Sequence, residues 1–489
     1  MPQIHKNFEV HDNFHFEMKL DYWLKLHKRD DYQVDLFLFL PNALGLNHNS
    51  YPREAFYDDI KNHVRLKTPE LSLDQVASLD EGQPGRLLSD SVAALNASGP
   101  TEDLCHAVEY HTKMYVSITV RELHNCHSIC LGDISRGNIP STLKLVEELN
   151  CVVKLIRNLG KEIPAECESP EANRLPTVMS SADEYLTSEI TQAFLKLFKA
   201  VKPGEDELHR VLLQAIKEQS DYRTQKGFPQ LDVNTSGHDE TVLFRRSIFK
   251  KFFRSPLFLT QERQTDGRLA SQVAMGFAAG LSMIFATLIA FLAQQQFGNF
   301  TLPLFVALVV GYVFKDRIKE LTKIYLEKWL SKRVSDSKTS FFDQDGNRMG
   351  VCREMVRFVA PDQVPANILA LRNKDHLTEI ANFWQAEKII QYRKNVTLFR
   401  KPLQRANPNY KTAAVNDIIR YDVHRLLLNM DEPEKELLAL RKDESVARVA
   451  GARVYKINLL LRLTGGKNEQ FSRFRLILDR DGIRRMEIV

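Results

Sequence analysis

The chain has 489 residues, room for two or three domains at about 150 residues each. Hydrophobic residues make up 44% and charged residues 26%, a globular composition that excludes an intrinsically disordered chain. A formal charge of +5 is too small at this length to point to nucleic acid, and six irregularly spaced cysteines exclude a disulfide framework. The cysteines (Cys105, Cys126, Cys130, Cys151, Cys167 and Cys352) fit free thiols in a reducing cytosol.

The opening MPQIHKNFEVHDNFHF has no apolar core, so no cleaved signal peptide is expected. Two strands are predicted over 13–41. Phe14, Phe16, Met18 and Leu20 alternate with polar partners, and VDLFLFLP reads as a buried strand ending at Pro41. Ser50 as N-cap, Pro52, and the i+4 series Phe56, Ile60 and Val64 then predict a helix.

The run from Leu104 to Cys130 is rich in thiols and imidazoles, the ligands zinc prefers. Cys105, His124, Cys126, His127 and Cys130 are the candidate metal ligands, with His124, His127 and Cys130 at helical steps of three. The spacing matches no zinc finger and there is no second C-x-x-C. Unliganded core and surface residues are therefore the plainer reading, and no cofactor is expected. Leu145, Leu149, Val152, Ile156 and Leu159 form an apolar helical stripe that Gly160 is expected to cap. Ser181 and Glu184 read as a capping box opening a helix to about Val201. Pro203-Gly204 breaks it, and a second helix runs to about Tyr222. A polar linker follows over 225–240, in which His238-Asp239 resembles half of a metal-dependent phosphohydrolase dyad.

Arg245, Arg246, Phe249, Lys250, Lys251, Phe252, Phe253 and Arg254 interleave cations with aromatics at helical spacing. Such a segment is expected to lie in the headgroup plane, its cations facing anionic lipid. Leu269–Ala293 is charge-free and long enough to cross a bilayer, and Phe297–Phe314 is read as a shorter returning span. Basic residues flank both runs while the connecting QQQ loop carries no charge, so both termini are expected in the cytoplasm of a multi-pass integral membrane protein. Gly276 and Gly280, with Ala307 and Gly311, supply small residues for packing the two runs on each other, homo-oligomerisation being the competing use. No ionisable residue lies inside either run, which argues against a transporter. Ile318, Leu321, Tyr325 and Trp329 predict that the second helix continues to about Val334.

Beyond it, Asp343, Asp345 and Gly346, and again Asp479, Asp481 and Gly482, form D-x-D-G turns lacking the distal Glu of a calcium loop. Helical stretches are predicted near 374–392 and 415–430. Alternating strands over 455–463 and 473–478 predict an antiparallel meander with one apolar and one basic face.

The expected fold class is thus α+β cytosolic domains flanking a two-helix transmembrane hairpin, with a C-terminal antiparallel sheet covered by helices on one face. The expected divisions are 1–225, 226–268, 269–314 and 315–489. The chain lacks G-x-x-x-x-G-K-[ST], G-x-S-x-G and H-E-x-x-H. The expected function is that of a membrane-anchored cytosolic interaction or regulatory protein, with the lipid bilayer as first partner. The alternatives are a membrane-anchored enzyme with dispersed, metal-assisted residues and an oligomeric pore.

Overall fold

Strong alternation and an early apolar run produce three strands, β1 (Ile4–Val10), β2 (His15–Trp23) and β3 (Arg29–Leu40), as expected for the second and third. The helix read from Ser50 lasts only from Arg53 to Asp59 (α1), and the chain then turns into β4 (Ile60–Leu66). Ile60 and Val64, four apart, fit a strand as well as a helix, and with Leu66 they complete an alternation whose members are buried.

Helices follow: α2 (Leu73–Ala77), α3 (Pro84–Ser98), α4 (Glu102–Ser135), α5 (Pro140–Glu162), α6 (Pro170–Ala200), α7 (Asp206–Gln225) and α8 (Glu240–Arg254). Two expected boundaries move. Gly160 lies inside α5 instead of capping it, and Ser181 sits mid-way along α6, which begins at Pro170 and contains Pro176. The rest of the chain is β5 (Thr260–Thr265), α9 (Arg268–Phe297), α10 (Leu302–Leu330), β6 (Ser337–Phe342), β7 (Arg348–Val359), α11 (Ala366–Arg372), β8 (Lys388–Phe399) and β9 (Ala414–Asp422). It closes with β10 (Glu434–Leu440), β11 (Val446–Ala452), β12 (Tyr455–Gly465), β13 (Asn468–Asp479) and β14 (Gly482–Ile488).

The computed structural model describes residues 4–25, 28–136, 140–164, 170–201, 206–231, 240–266, 268–298, 301–330, 334–373, 387–410, 414–466 and 468–489. The helices predicted near 374–392 and 415–430 are corrected where they can be seen. Residues 388–399 and 414–422 are strands, with a single helical turn at His424–Leu427, while 374–386 lies outside the described residues. His238, Asp239 and Cys167 also lie outside them.

The chain does not divide in sequence order. One unit comprises Met1–Val64, Leu259–Leu403 and Ala414–Val489; the other comprises Arg65–Phe258 and Gln404–Ala413. The first is built on an eight-stranded sheet in the order β14-β13-β12-β3-β8-β7-β6-β5, antiparallel at every junction, and a four-stranded sheet in the order β1-β2-β9-β4. The meander falls in the C-terminal division expected over 315–489, and its strand β12 pairs with β3 from the N-terminus, Leu461 opposite Leu36.

β3 is buried on both faces, which is why VDLFLFL is almost continuously apolar. Val34, Leu36 and Leu38 pack on the side of the four-stranded sheet with Leu459, Leu461, Met18 and Leu20. Phe37 and Phe39 join Ile389, Leu460 and Val359 under Ile368 of α11. Gly350 of β7 stands where a Cβ would come within 2.7 Å of the Thr397 carbonyl oxygen, so this close strand approach requires glycine.

Aromatic contacts tie the two sheets together, Phe8 stacking on Phe474 at 3.8 Å and Tyr22 lying 5.3 Å from Tyr32. Between them lies an ion pair, the Lys394 Nζ of β8 standing 2.7 Å from the Asp417 carboxylate of β9, with side chains 1% and 0% exposed.

In the second unit α4 packs against α3, α5, α6 and α8. Buried hydroxyls lock the arrangement: Tyr115 donates to the Val152 carbonyl at 3.0 Å and Ser117 to that of Phe253 at 2.8 Å. The segment Gln404–Ala413 belongs here because Tyr110 donates to Asn407 Oδ1 at 2.6 Å and His111 hydrogen-bonds Tyr410 at 3.0 Å.

Removing one partner of a buried ion pair costs about 3–5 kcal/mol, whereas replacing both by apolar groups is often near neutral. Lys394→Met is therefore expected to lower unfolding free energy by that amount, and Lys394→Met with Asp417→Leu to recover most of it in denaturant titrations. Burial disfavours the Lys394 charge, but Asp417 outweighs it and holds the ammonium above its ordinary value. The pair's contribution is thus fully present at neutral pH and is lost as pH rises beyond about 10.4 towards the folded value.

Candidate functional site

Helices α9 and α10 fold back on each other through a narrow seam of small residues. Ala278, Ser282 and Ala293 are buried in it, Ala307 is half-buried, and a Cβ on Gly311 would stand 3.0 Å from Ile289. Gly311 thus does what small residues do at helix contacts. Gly276 and Gly280 do not, since a Cβ on either would meet nothing within 4 Å. The hydroxyls of Ser282 and Thr287 donate to carbonyls of their own helix, Ala279 and Met283, at 2.8 and 2.9 Å. Outside the seam large apolar side chains are bare, among them Phe277, Ile284, Phe291, Leu302 and Phe305.

This pair overturns the two-span topology. Among the described residues only one helix, Gln272–Phe297 with 26 residues, is long and apolar enough to cross a membrane, and 11% of its most apolar window is buried. In α10 the apolar run from Leu302 ends at Phe314, and Lys315, Asp316, Arg317, Lys319 and Glu320 follow within the same helix. Thirteen residues rise only about 20 Å at 1.5 Å each, against a hydrocarbon core of about 30 Å. A transmembrane hairpin, and with it multi-pass insertion with both termini cytoplasmic, is not supported. The ends of the segment are nevertheless adjacent, because β5 before α9 pairs with β6 after α10, Thr265 opposite Ser337.

Within the same unit, a cavity of about 110 Å³ opens beside the Lys394–Asp417 pair, lined by Tyr57, Asn62, Arg263, Thr339, Cys352, Glu354 and Lys394. Tyr22 donates to Asp417 at 2.9 Å, and Glu354 accepts from Tyr392, Asn62 and Ser337. Arg263 lies over the Tyr57 ring at 4.8 Å. Burial pushes the Cys352 thiol well above its usual range, so it is held as an unreactive thiol rather than a nucleophile. A polar cavity this size suits a few water molecules. Its residues come from β4, β5, β6, β7, β8 and α1, and no local pattern in the sequence unites them.

The candidate metal ligands lie along α4. Cys105 is at least 19 residues from the others, about 28 Å along a helix, and cannot share an ion with them. The His124 Nε2 is 3.4 Å from Glu189, and the Cys126 thiol donates to Glu122 at 3.6 Å. Burial and then the Glu122 charge push Cys126 up to about 12. Burial likewise raises Cys130 and lowers His127. Among the described residues no group of three or more His, Cys, Asp or Glu could hold a metal ion.

The basic-aromatic segment is α8, and its membrane-facing assignment changes for most residues. Phe253 is buried and stacks on Tyr185 at 5.7 Å, with Phe249 at 6.2 Å from the same ring. Arg245 reaches Glu184 through two bonds at 2.8 and 2.6 Å, and Arg246 pairs with Glu189 at 2.8 Å. Phe252 lies under the Lys113 ammonium at 4.4 Å, and Arg254 is half-buried. These side chains hold α8 on α4 and α6. Its exposed apolar residues are Leu243, Phe244 and Ile248, beside exposed Lys250 and Lys251.

Comparison with protein-family models, with curated proteins and with solved structures finds no match.

The described cysteines differ sharply in access. Cys151 is exposed, Cys105, Cys130 and Cys352 are buried, and Cys126 is half-buried with its thiol at about 12. Iodoacetamide at pH 7.5, followed by mass spectrometry, is expected to label Cys151 at least tenfold faster than those four. Equal labelling of Cys126 would contradict its placement against Glu122.

Proposed function

We propose that this chain is a membrane-anchored interaction protein, attached to a bilayer through α9. The observation that carries the reading is the apolar surface of Gln272–Phe297, left almost wholly bare by the rest of the fold. A soluble monomer rarely exposes more than a few hundred Å² of contiguous apolar surface, and a larger patch marks a membrane or protein contact. The contact favoured here is lipid, because the patch wraps the outer sides of a helix pair and its hydroxyls are satisfied internally, as hydrocarbon demands. Lys315, Arg317, Lys319 and Lys323 follow the apolar run of α10 against Asp316 and Glu320, a balance suited to anionic headgroups. In this reading the strand-built unit is held at the surface through β5 and β6, and it requires no catalytic centre.

Expressed in cells, the full chain is expected to stay with membranes through alkaline carbonate and to be released by detergent. A variant in which residues 268–334 give way to a two-residue turn joins β5 to β6 as a plain hairpin, and should be recovered free of membranes with a cooperative melt. Phe277→Asp, Ile284→Asp and Phe291→Asp together, each placing a charge on the bare apolar surface where contact with hydrocarbon makes it costly, should also release it. Recovery of the full chain in the carbonate supernatant, or as a detergent-free oligomer, would sink the proposal.

A further inference from the structure

The outer face of the eight-stranded sheet carries a charge imbalance that the fold itself does not require. Asp35 of β3 is wholly buried and accepts from Arg393 of β8 at 2.6 Å, Arg462 of β12 at 2.6 and 3.1 Å, and Gln33 at 2.7 Å. Register explains the convergence, since Arg393 and Arg462 stand directly opposite Asp35 on its two neighbouring strands. Gln391 extends the network, donating to Asp35 at 3.2 Å and accepting from the Arg357 Nε of β7 at 3.1 Å. Two guanidiniums thus contact one carboxylate, and a third, that of Arg357, joins it through Gln391.

We propose that this face is a binding site for a phosphate-bearing anion, held by Arg357, Arg393 and Arg462. Asp35 orients two of the three guanidiniums. Among the described residues it engages only Nε of Arg393, and Nε and Nη2 of Arg462, while Arg357 has no carboxylate partner. Guanidinium donors are left over in a fork geometry that matches phosphate oxygens. The side chains remain reachable, Arg393 being 27% and Arg462 18% exposed. Burial, and then the Arg393 charge, hold Arg357 below the usual arginine value, a strain that an added anion would relieve. The nearest other carboxylate along β3, Asp31, is already engaged by Arg29 and Thr397. Asp35 balances one of the three guanidinium charges, and an anion from outside would balance more. The inference stands apart from bilayer attachment, since it rests on the sheet and not on α9.

The phosphate could belong to a free solute or to a lipid headgroup, and two arms separate them. The full chain in nonionic detergent is titrated with inorganic phosphate by calorimetry, and separately with the same detergent doped with phosphatidic acid. Saturable binding in either arm is expected, weakening as salt rises and falling about tenfold in Arg357→Gln. Arg357→Lys should retain part of it. Tighter binding to phosphatidic acid assigns the headgroup, and equal or tighter binding of inorganic phosphate assigns a solute. Arg357 anchors no buried carboxylate, so its variants should melt like the parent protein, confirming that they are folded. Absence of saturable binding in both arms, or binding unchanged in Arg357→Gln, overturns the proposal.

Discussion

A lysine and an aspartate buried between two sheets hold the strand-built unit in register. Lys394 belongs to the eight-stranded sheet and Asp417 to the four-stranded one, and Tyr22 donates to the same carboxylate from a third strand. Such a pair adds little net stability compared with apolar residues of equal volume, because desolvation cancels much of the attraction. Its effect is on specificity. A slip of β8 by one residue would carry Lys394 to the opposite face, where Arg393 now meets Asp35, and strand Asp417 without a counter-charge. Both faces of β8 therefore count against the same error.

The same principle organises the helical unit at lower intensity. The Asp183 carboxylate of α6 accepts from Arg157 of α5 and Tyr222 of α7, and the Arg157 guanidinium lies 3.4 Å from the Tyr222 ring centre. Glu184 and Glu189 receive Arg245 and Arg246 of α8. Carboxylates along α6 thus sort three other helices around it, while the apolar stripes supply burial without direction.

Strands β2 and β3 were legible because alternation or unbroken apolarity over a short run bounded by turn residues suits little besides a strand. β9 was not, since Ile418 and Ile419 are adjacent and the leucines of 426–428 suggest a helix; pairing with β2 decides the matter. The start of α6 reads late because Ser181 and Glu184 have the capping-box spacing, although Pro170 opens the helix eleven residues earlier and Pro176 sits inside it. The aromatics of α8 have the spacing of an interfacial helix, but that spacing equally describes a helix packed on protein. What distinguished the two was Tyr185, remote in sequence. The second apolar run was long only if residues 297–301 counted towards it, whereas α10 begins at Leu302. The cavity beside Lys394 and the arginine row around Asp35 could not be read at all, since each gathers single residues from distant strands.

Strand β3 is complete once Leu40 has been made, yet its two neighbours begin only at Lys388 and Tyr455. On the ribosome, this apolar strand therefore emerges long before either edge can be covered, while the helices from Leu73 to Arg254 appear next and have most of their partners at hand. The helical unit can form during synthesis; the sheet cannot close until β12 has been made. Until then Leu36 to Phe39 is an open strand edge of the kind other chains readily join. Loss of β12 alone would thus lay bare the edge of a strand made long before it.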